Sequence, residues 1–185
     1  MREAGFANST EILNILLKAG AIVTDSVLDG FIKNGNIEAT QILLDSGLQK
    51  NGTYIFDKNL YWWVQSTDNA DMIDFLADKG ANFTNSDILW RAVDRDNIQV
   101  TKALIKHGAD VIAHDPLYEA HSMAMVQLLI DAGADVTKSG VVANFAYRNN
   151  LEAVTKLVEL GANLDNHDPL ARAGEGNSTQ MLNYL

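Results

Sequence analysis

Residues 35–47 read Gly35-Asn36-Ile37-Glu38-Ala39-Thr40-Gln41-Ile42-Leu43-Leu44-Asp45-Ser46-Gly47. After a polar turn, the apolar side chains fall in a broad stripe along one side of a helix, whereas a half-buried strand would alternate every second residue. The glycine that closes the segment is the residue best suited to the left-handed conformation that terminates a helix. The same plan recurs at Asn149-Asn150-Leu151-Glu152-Ala153-Val154-Thr155-Lys156-Leu157-Val158-Glu159-Leu160-Gly161-Ala162-Asn163, and the stripe Met125-Val126-Gln127-Leu128-Leu129-Ile130 leads into Gly133.

Further along the chain the closing glycine keeps returning. Gly-Ala pairs stand at Gly20-Ala21, Gly80-Ala81, Gly108-Ala109, Gly133-Ala134 and Gly161-Ala162, with Gly47-Leu48 in the gap, so successive glycines are 27, 33, 28, 25 and 28 residues apart. Recurrence in this range marks an array of stacked repeats. A shorter apolar run precedes each stripe across a turn such as Asn34-Gly35-Asn36 or Arg148-Asn149-Asn150. Two short helices joined this tightly make an antiparallel hairpin. Neither can bury its stripe alone, so the neighbouring hairpin supplies the core.

Gly35 to Gly47 and Asn149 to Asn163 resemble the second-helix half of an ankyrin repeat. Asp115-Pro116-Leu117-Tyr118-Glu119-Ala120 and Asp168-Pro169-Leu170-Ala171-Arg172-Ala173 are similar to the Thr-Pro-Leu-His-x-Ala start of that family's first helix. The resemblance spans essentially the whole chain and implies an all-α, ankyrin-like solenoid of helix-turn-helix repeats. The family's period is about 33 residues, and four of the five intervals fall short of it. The deficit lies mainly after each Gly-Ala pair, where ankyrin repeats carry a β-hairpin finger. Most loops are therefore expected to be trimmed, with little or no strand. The interval from Gly47 to Gly80 is the exception: Gln49 to Asp57 has the length for a full finger carrying Tyr54 and Phe56. The interval ending at Gly133 is short for another reason, since Ala120-His121-Ser122 leaves almost no room for an inter-helix turn.

The expected organisation is one ankyrin-repeat domain over residues 1–185, with about five full repeats and a partial repeat at each end. Residues 4–14 resemble residues 173–183, so the chain starts and stops at nearly the same phase; a segment of a longer array is expected, the alternative being a last helix that is a truncated cap.

Composition narrows the function. The chain has 185 residues, 47% of them hydrophobic and 21% charged, which is the balance of a folded soluble protein. A net charge of −10 argues against nucleic-acid binding, which needs an excess of lysine and arginine facing the phosphates. No apolar run is long enough for a membrane span, and residues 1–7 do not read as a signal peptide. With no cysteine there is no disulfide or thiolate site. A soluble, cytoplasmic protein is expected.

Chemistry is hard to find in it. His114-Asp115-Pro116-Leu117 and His167-Asp168-Pro169-Leu170 repeat one tetrapeptide, but two repeats apart they would lie about 20 Å from each other, too far to share an ion. Asp115 and Asp168 read instead as caps on helices that open with proline. His107 sits in the last turn of a second helix and His121 at the cramped turn. Asp71 with Asp74, and Asp94 with Asp96, read as solvated helix surface. No nucleophile turn or glycine-rich phosphate loop is present. No catalytic residue, metal ligand, cofactor or small-molecule substrate is expected, and the chain is not read as an enzyme.

The arginines are more informative. All five (Arg2, Arg91, Arg95, Arg148 and Arg172) fall in first-helix segments. The family resemblance implies that the exposed side of these helices lines the concave face where partners dock. Aligned on the following turn, Trp63 and Arg91 share a register with Asn144 and Arg172; Ser66 and Asp94 share one with Tyr147; Arg95 falls with Arg148. Tyr61 aligns with core leucines, and Trp62 aligns with Trp90 between neighbouring first helices, which leaves Trp63 either as the exposed tryptophan or as one buried by the finger of Gln49 to Asp57. Tyr54, Trp63, Arg91, Arg95, Tyr147, Arg148 and Arg172 are the expected partner-binding residues, because tryptophan, tyrosine and arginine dominate binding hot spots. The partner class is another protein, with an acidic or phosphorylated surface. Two readings compete with this one: the arginines merely neutralise neighbouring aspartates, or the stack is a structural spacer in a larger protein.

Overall fold

A computed structural model describes residues 8–46, 49–50, 53–54, 62–64, 67–84 and 86–185. The chain forms two compact units, Met1–Thr84 and Asn85–Leu185. In the first, α1 (Thr10–Lys18) is followed by the hairpin of α2 (Asp25–Lys33) and α3 (Ile37–Asp45). After it come the strands β1 (Gln49–Lys50) and β2 (Thr53–Tyr54), a helical stretch at 62–64 and α4 (Ala70–Asp78). The strands pair antiparallel, Gln49 with Tyr54 and Lys50 with Thr53. The paired strands of the finger expected in the long interval are therefore present at 49–50 and 53–54, while Phe56 lies outside the described residues.

The second unit contains α5 (Ser86–Asp94), α6 (Ile98–Lys106), a 3₁₀ helix (Pro116–Glu119), α7 (Met123–Asp131), α8 (Val141–Tyr147), α9 (Leu151–Glu159), α10 (Pro169–Glu175) and α11 (Thr179–Tyr184). First helices lie side by side: α5 packs on the 3₁₀ helix, the 3₁₀ helix on α8, and α8 on α10. Behind them α6 packs on α7. Leu89, Val93, Leu104, Leu129, Phe145 and Leu157 fill the space between the layers and are fully buried.

Each recurring sequence feature has a local physical cause. Gly20, Gly80, Gly108, Gly133 and Gly161 all have positive φ, between 79° and 105°. In every case the glycine amide and the next alanine amide bond back into the last helical turn, as when Gly108 reaches the Ile105 carbonyl and Ala109 the Leu104 carbonyl, both at 3.0 Å. This pair of bonds satisfies carbonyls the helix leaves open and requires the left-handed residue that glycine supplies. The residue after Gly-Ala then folds the trimmed loop. Asn82, Asp110, Asp135 and Asn163 each accept a hydrogen bond from a backbone amide two residues on, at 2.8–3.0 Å, so an Asx turn stands where a hairpin finger is missing.

The inter-helix turns are equally regular. Asn8, Gly35, Asp96, Asn149 and Asn177 are left-handed, and the residue after each, Ser9, Asn36, Asn97, Asn150 or Ser178, caps the second helix through its side chain. These caps also tie neighbouring repeats together. Within the first unit the Asn36 and Asn69 amides donate to the Asn8 and Gly35 carbonyls, each at 3.4 Å. Within the second the Ser122 hydroxyl donates to Asp96 at 2.7 Å, and Ser178 donates to Asn149.

Candidate functional site

The arginine-bearing face is best defined in the second unit. Tyr147 ends α8 with its side chain 48% exposed, and the Arg172 guanidinium from α10 lies over its ring at 5.1 Å. A cation at this distance is attracted by the ring's negative face. Arg172 is further held by Glu175 Oε2 at 2.6 Å and by the Tyr118 hydroxyl, which accepts from Nη2 at 3.3 Å. Glu175 first, and then Tyr118, push the pKa of the guanidinium above its ordinary value.

Arg148 caps α8 and is exposed. Its Nε donates to Asn144 Oδ1 at 3.0 Å. Asn144 is only 9% exposed, and its amide donates to the Tyr118 and Ala120 carbonyls at 2.7 and 3.2 Å. Asn144 is thus a buried bridge from α8 to the preceding repeat, and it aims Arg148. Among the described residues Arg148 makes no ion pair.

Towards the other end of the row Arg91 lies over the Trp90 ring at 4.5 Å, with its Nη1 3.8 Å from Asp94. Arg95 is exposed just beyond α5. The expected residues therefore form two groups: Tyr147, Arg148 and Arg172 come together around α8 and α10, while Arg91 sits on α5 and Arg95 just after it.

Two expectations need correction. Trp63 is 1% exposed, part of the core of the first unit, and its indole N–H donates to the Asp29 carboxylate of α2; Trp62 is the exposed tryptophan, at 60%. The register is turned because the larger gain comes from burying an indole whose N–H finds a carboxylate in the preceding repeat. Asp168 caps its helix, accepting from the Ala171 amide at 3.1 Å, but Asp115 makes no side-chain cap. Its Oδ2 accepts instead from Ser139 Oγ and from the Gly140 amide, both at 3.1 Å. Tyr54 is in β2, paired with Gln49; Arg2 and Tyr61 lie outside the described residues.

The site also holds members that the sequence did not mark. Tyr118 receives Arg172 and lies against the His167 ring, centroids 4.9 Å apart. It belongs to a four-residue 3₁₀ helix, which has no helical register to align with its neighbours. Gly176 is a second: a Cβ there would lie 2.2 Å from the Tyr147 carbonyl oxygen, so the close approach of α10 to α8 requires glycine.

No protein-family model matches the chain, and a search of curated proteins finds no match. Among solved structures it is similar to the ankyrin repeat domain of Bcl-3, titled a unique member of the IkappaB protein family. The two share 21% identity at a TM-score of 0.64, over 98% of this chain and 95% of that one. No described helix is long and apolar enough to cross a membrane. The repeat period, the Gly-Ala helix ends, the row of first helices and this likeness agree: the chain has the ankyrin-repeat fold.

Proposed function

We propose that the chain binds a protein partner through the first-helix face of its second unit, with Tyr147, Arg148 and Arg172 at the centre and Arg91 and Arg95 towards one edge. The fold is commonly a protein–protein interaction module and typically non-catalytic. The observation that carries the proposal is Arg148, an exposed guanidinium held in place by a buried asparagine and, among the described residues, without a carboxylate partner in a protein of net charge −10. Neutralisation of neighbouring aspartates accounts well for Arg91 beside Asp94 and for Arg172 beside Glu175, but it does not account for Arg148. A planar fork with its Nε already fixed presents its remaining donors to a carboxylate or phosphate in bidentate fashion. Beside it, the Tyr147 ring offers apolar area at low conformational cost.

The test is selection of peptides from a library containing glutamate-rich and phosphoserine sequences, on the full chain and on Arg148→Ala. Acidic or phosphorylated peptides should be enriched, and the variant should bind them at least about 30-fold more weakly, a loss on the order of 2 kcal/mol, with an unchanged thermal midpoint. Equal recovery by both proteins defeats the proposal and favours a spacer.

A further inference from the structure

At the Arg91 edge of this face, the place where the repeat pattern is most compressed gathers a different kind of chemistry. Asp94 is the last residue of α5, Glu119 the last of the 3₁₀ helix, and His121 lies in the short turn before α7. One ligand atom from each lies within 4.8 Å of the other two, and all three side chains are half-buried. Ala120 between them is fully buried and leaves the 3₁₀ helix at φ −62° and ψ 132°. Glu119 and His121 on either side of it converge with Asp94 at the end of α5.

The contacts among these groups are loose: His121 Nε2 is within ion-pair range of Asp94 Oδ1, at 3.8 Å, but beyond hydrogen-bond distance, and among the described residues the side chains of Glu119 and His121 make no hydrogen bond. Arg91 approaches the other oxygen of Asp94, Oδ2, at 3.8 Å. It therefore steadies the carboxylate from outside while Oδ1 keeps its place towards His121, as second-layer groups do around metal ligands. Two carboxylates and an imidazole nitrogen converging without a proton shared between them are matched by a cation.

We propose that Asp94, Glu119 and His121 bind one divalent transition-metal ion of the zinc class. An imidazole nitrogen with two carboxylate oxygens suits zinc, whereas calcium and magnesium prefer all-oxygen shells. Ligands in a tetrahedral zinc shell stand about 3.4 Å apart. Closing the triad therefore needs movements of about an ångström, within the reach of half-exposed side chains. Three protein ligands leave a fourth position for water or for a group on a partner. The site arises from the shortened repeat: a full-length first helix would carry Glu119 and His121 apart. It stands independently of the Arg148 face.

The test is calorimetric titration of the full chain with zinc chloride. One ion per chain should bind, zinc should raise the thermal midpoint, and calcium chloride should do neither. Asp94→Asn and His121→Gln should each weaken binding at least tenfold, with His107→Gln unchanged. On the wild-type chain, zinc should shift the His121 ring nitrogens in histidine-detected NMR, which keeps the test free of any folding defect in a variant. Absence of saturable zinc binding, equal binding by both variants, or unmoved His121 signals at saturation would overturn the proposal.

Discussion

The tetrapeptide His-Asp-Pro-Leu occurs twice in the second unit with nearly the same backbone and two different outcomes. His114 and Asp115 have φ of 61° and 44°, and His167 and Asp168 have 59° and 47°, so both copies enter their helices through two left-handed residues. After the first copy the chain makes only the 3₁₀ helix Pro116–Glu119, while after the second it makes the α-helix Pro169–Glu175. The distance to the next cap decides this: Ser122 follows soon after Pro116, whereas Ser178 stands three residues further from Pro169. A chain three residues shorter must tighten to three residues per turn and leave early. The two aspartates then diverge. Asp168 caps its own helix, and Asp115 reaches forward to Ser139 and Gly140. The copies meet at Gly140, whose amide Asp115 holds and above which the His167 ring packs so closely that a Cβ would lie 2.0 Å from Nδ1. An identical motif thus serves as a helix cap in one repeat and as a clamp between repeats in the other.

The largest effect should come from the end of the long copy. At Gly176 φ is −74°, so alanine is tolerated by the backbone, but its Cβ meets a carbonyl oxygen that only the main chain can move. Gly176→Ala should cost about 4 kcal/mol or more in urea unfolding, above the usual overpacking cost because backbone and not a side chain must give way. Wild-type stability in this variant would mean that α10 does not dock on α8 as tightly as described. Next come the two aspartates. Replacing Asp115 by alanine strips a charged acceptor from the buried Ser139 hydroxyl and the Gly140 amide, a loss of about 2–3 kcal/mol. Replacing Asp168 removes one cap, worth about 1 kcal/mol. Alanine in the left-handed region adds about 1 kcal/mol at either site, a cost that cancels in the comparison. Equal losses from Asp115→Ala and Asp168→Ala would remove the distinction between clamp and cap.

What the sequence disclosed about these repeats follows from the range of the forces involved. Gly-Ala helix ends, Asn and Ser caps and the finger between Gly47 and Gly80 are set by bonds within a few residues, and each residue type carries its own conformational preference. The shortage of room at Ala120-His121-Ser122 was readable as a length, and it became a 3₁₀ helix. The misses are all contacts through space. Which of Trp62 and Trp63 turned inward depended on Asp29, 34 residues away. Tyr118 reached the arginine face by bonding Arg172 across 54 residues. Arg148 was picked out for its residue type and position, but the buried Asn144 that aims it was placed only in an aligned column. His121 was placed only at the cramped turn, because its neighbours Asp94 and Glu119 belong to a helix end and a collapsed turn that no periodicity brings together.

The smallest effect separates the loops that lead into the two copies. The first carries Asp110 at its Asx-turn position and the second carries Asn163, and each side chain accepts from the backbone ahead of it. Bonds from the Ile112 amide first, and then from the Ala113 amide, hold the Asp110 pKa below its ordinary 3.8. A folded-state pKa depressed in this way supports the fold above the unfolded value, and the support is lost as pH falls from 3.8 through the lower folded value. The loop before the 3₁₀ helix should therefore loosen in acid. Ile112 and Ala113 amide signals should move with a midpoint below 3.8. The asparagine carboxamide at 163 is uncharged, so its turn lacks this titration. Asp110→Asn should make the first loop behave like the second, flattening the pH response of Ile112 and Ala113 while leaving the neutral-pH unfolding midpoint nearly unchanged, because the side chain is fully exposed and an amide oxygen can accept the same bonds. A midpoint at or above 3.8 in the wild type, or a response that survives in Asp110→Asn, would show that the carboxylate does not organise this turn, and the two loops would then differ in sequence alone.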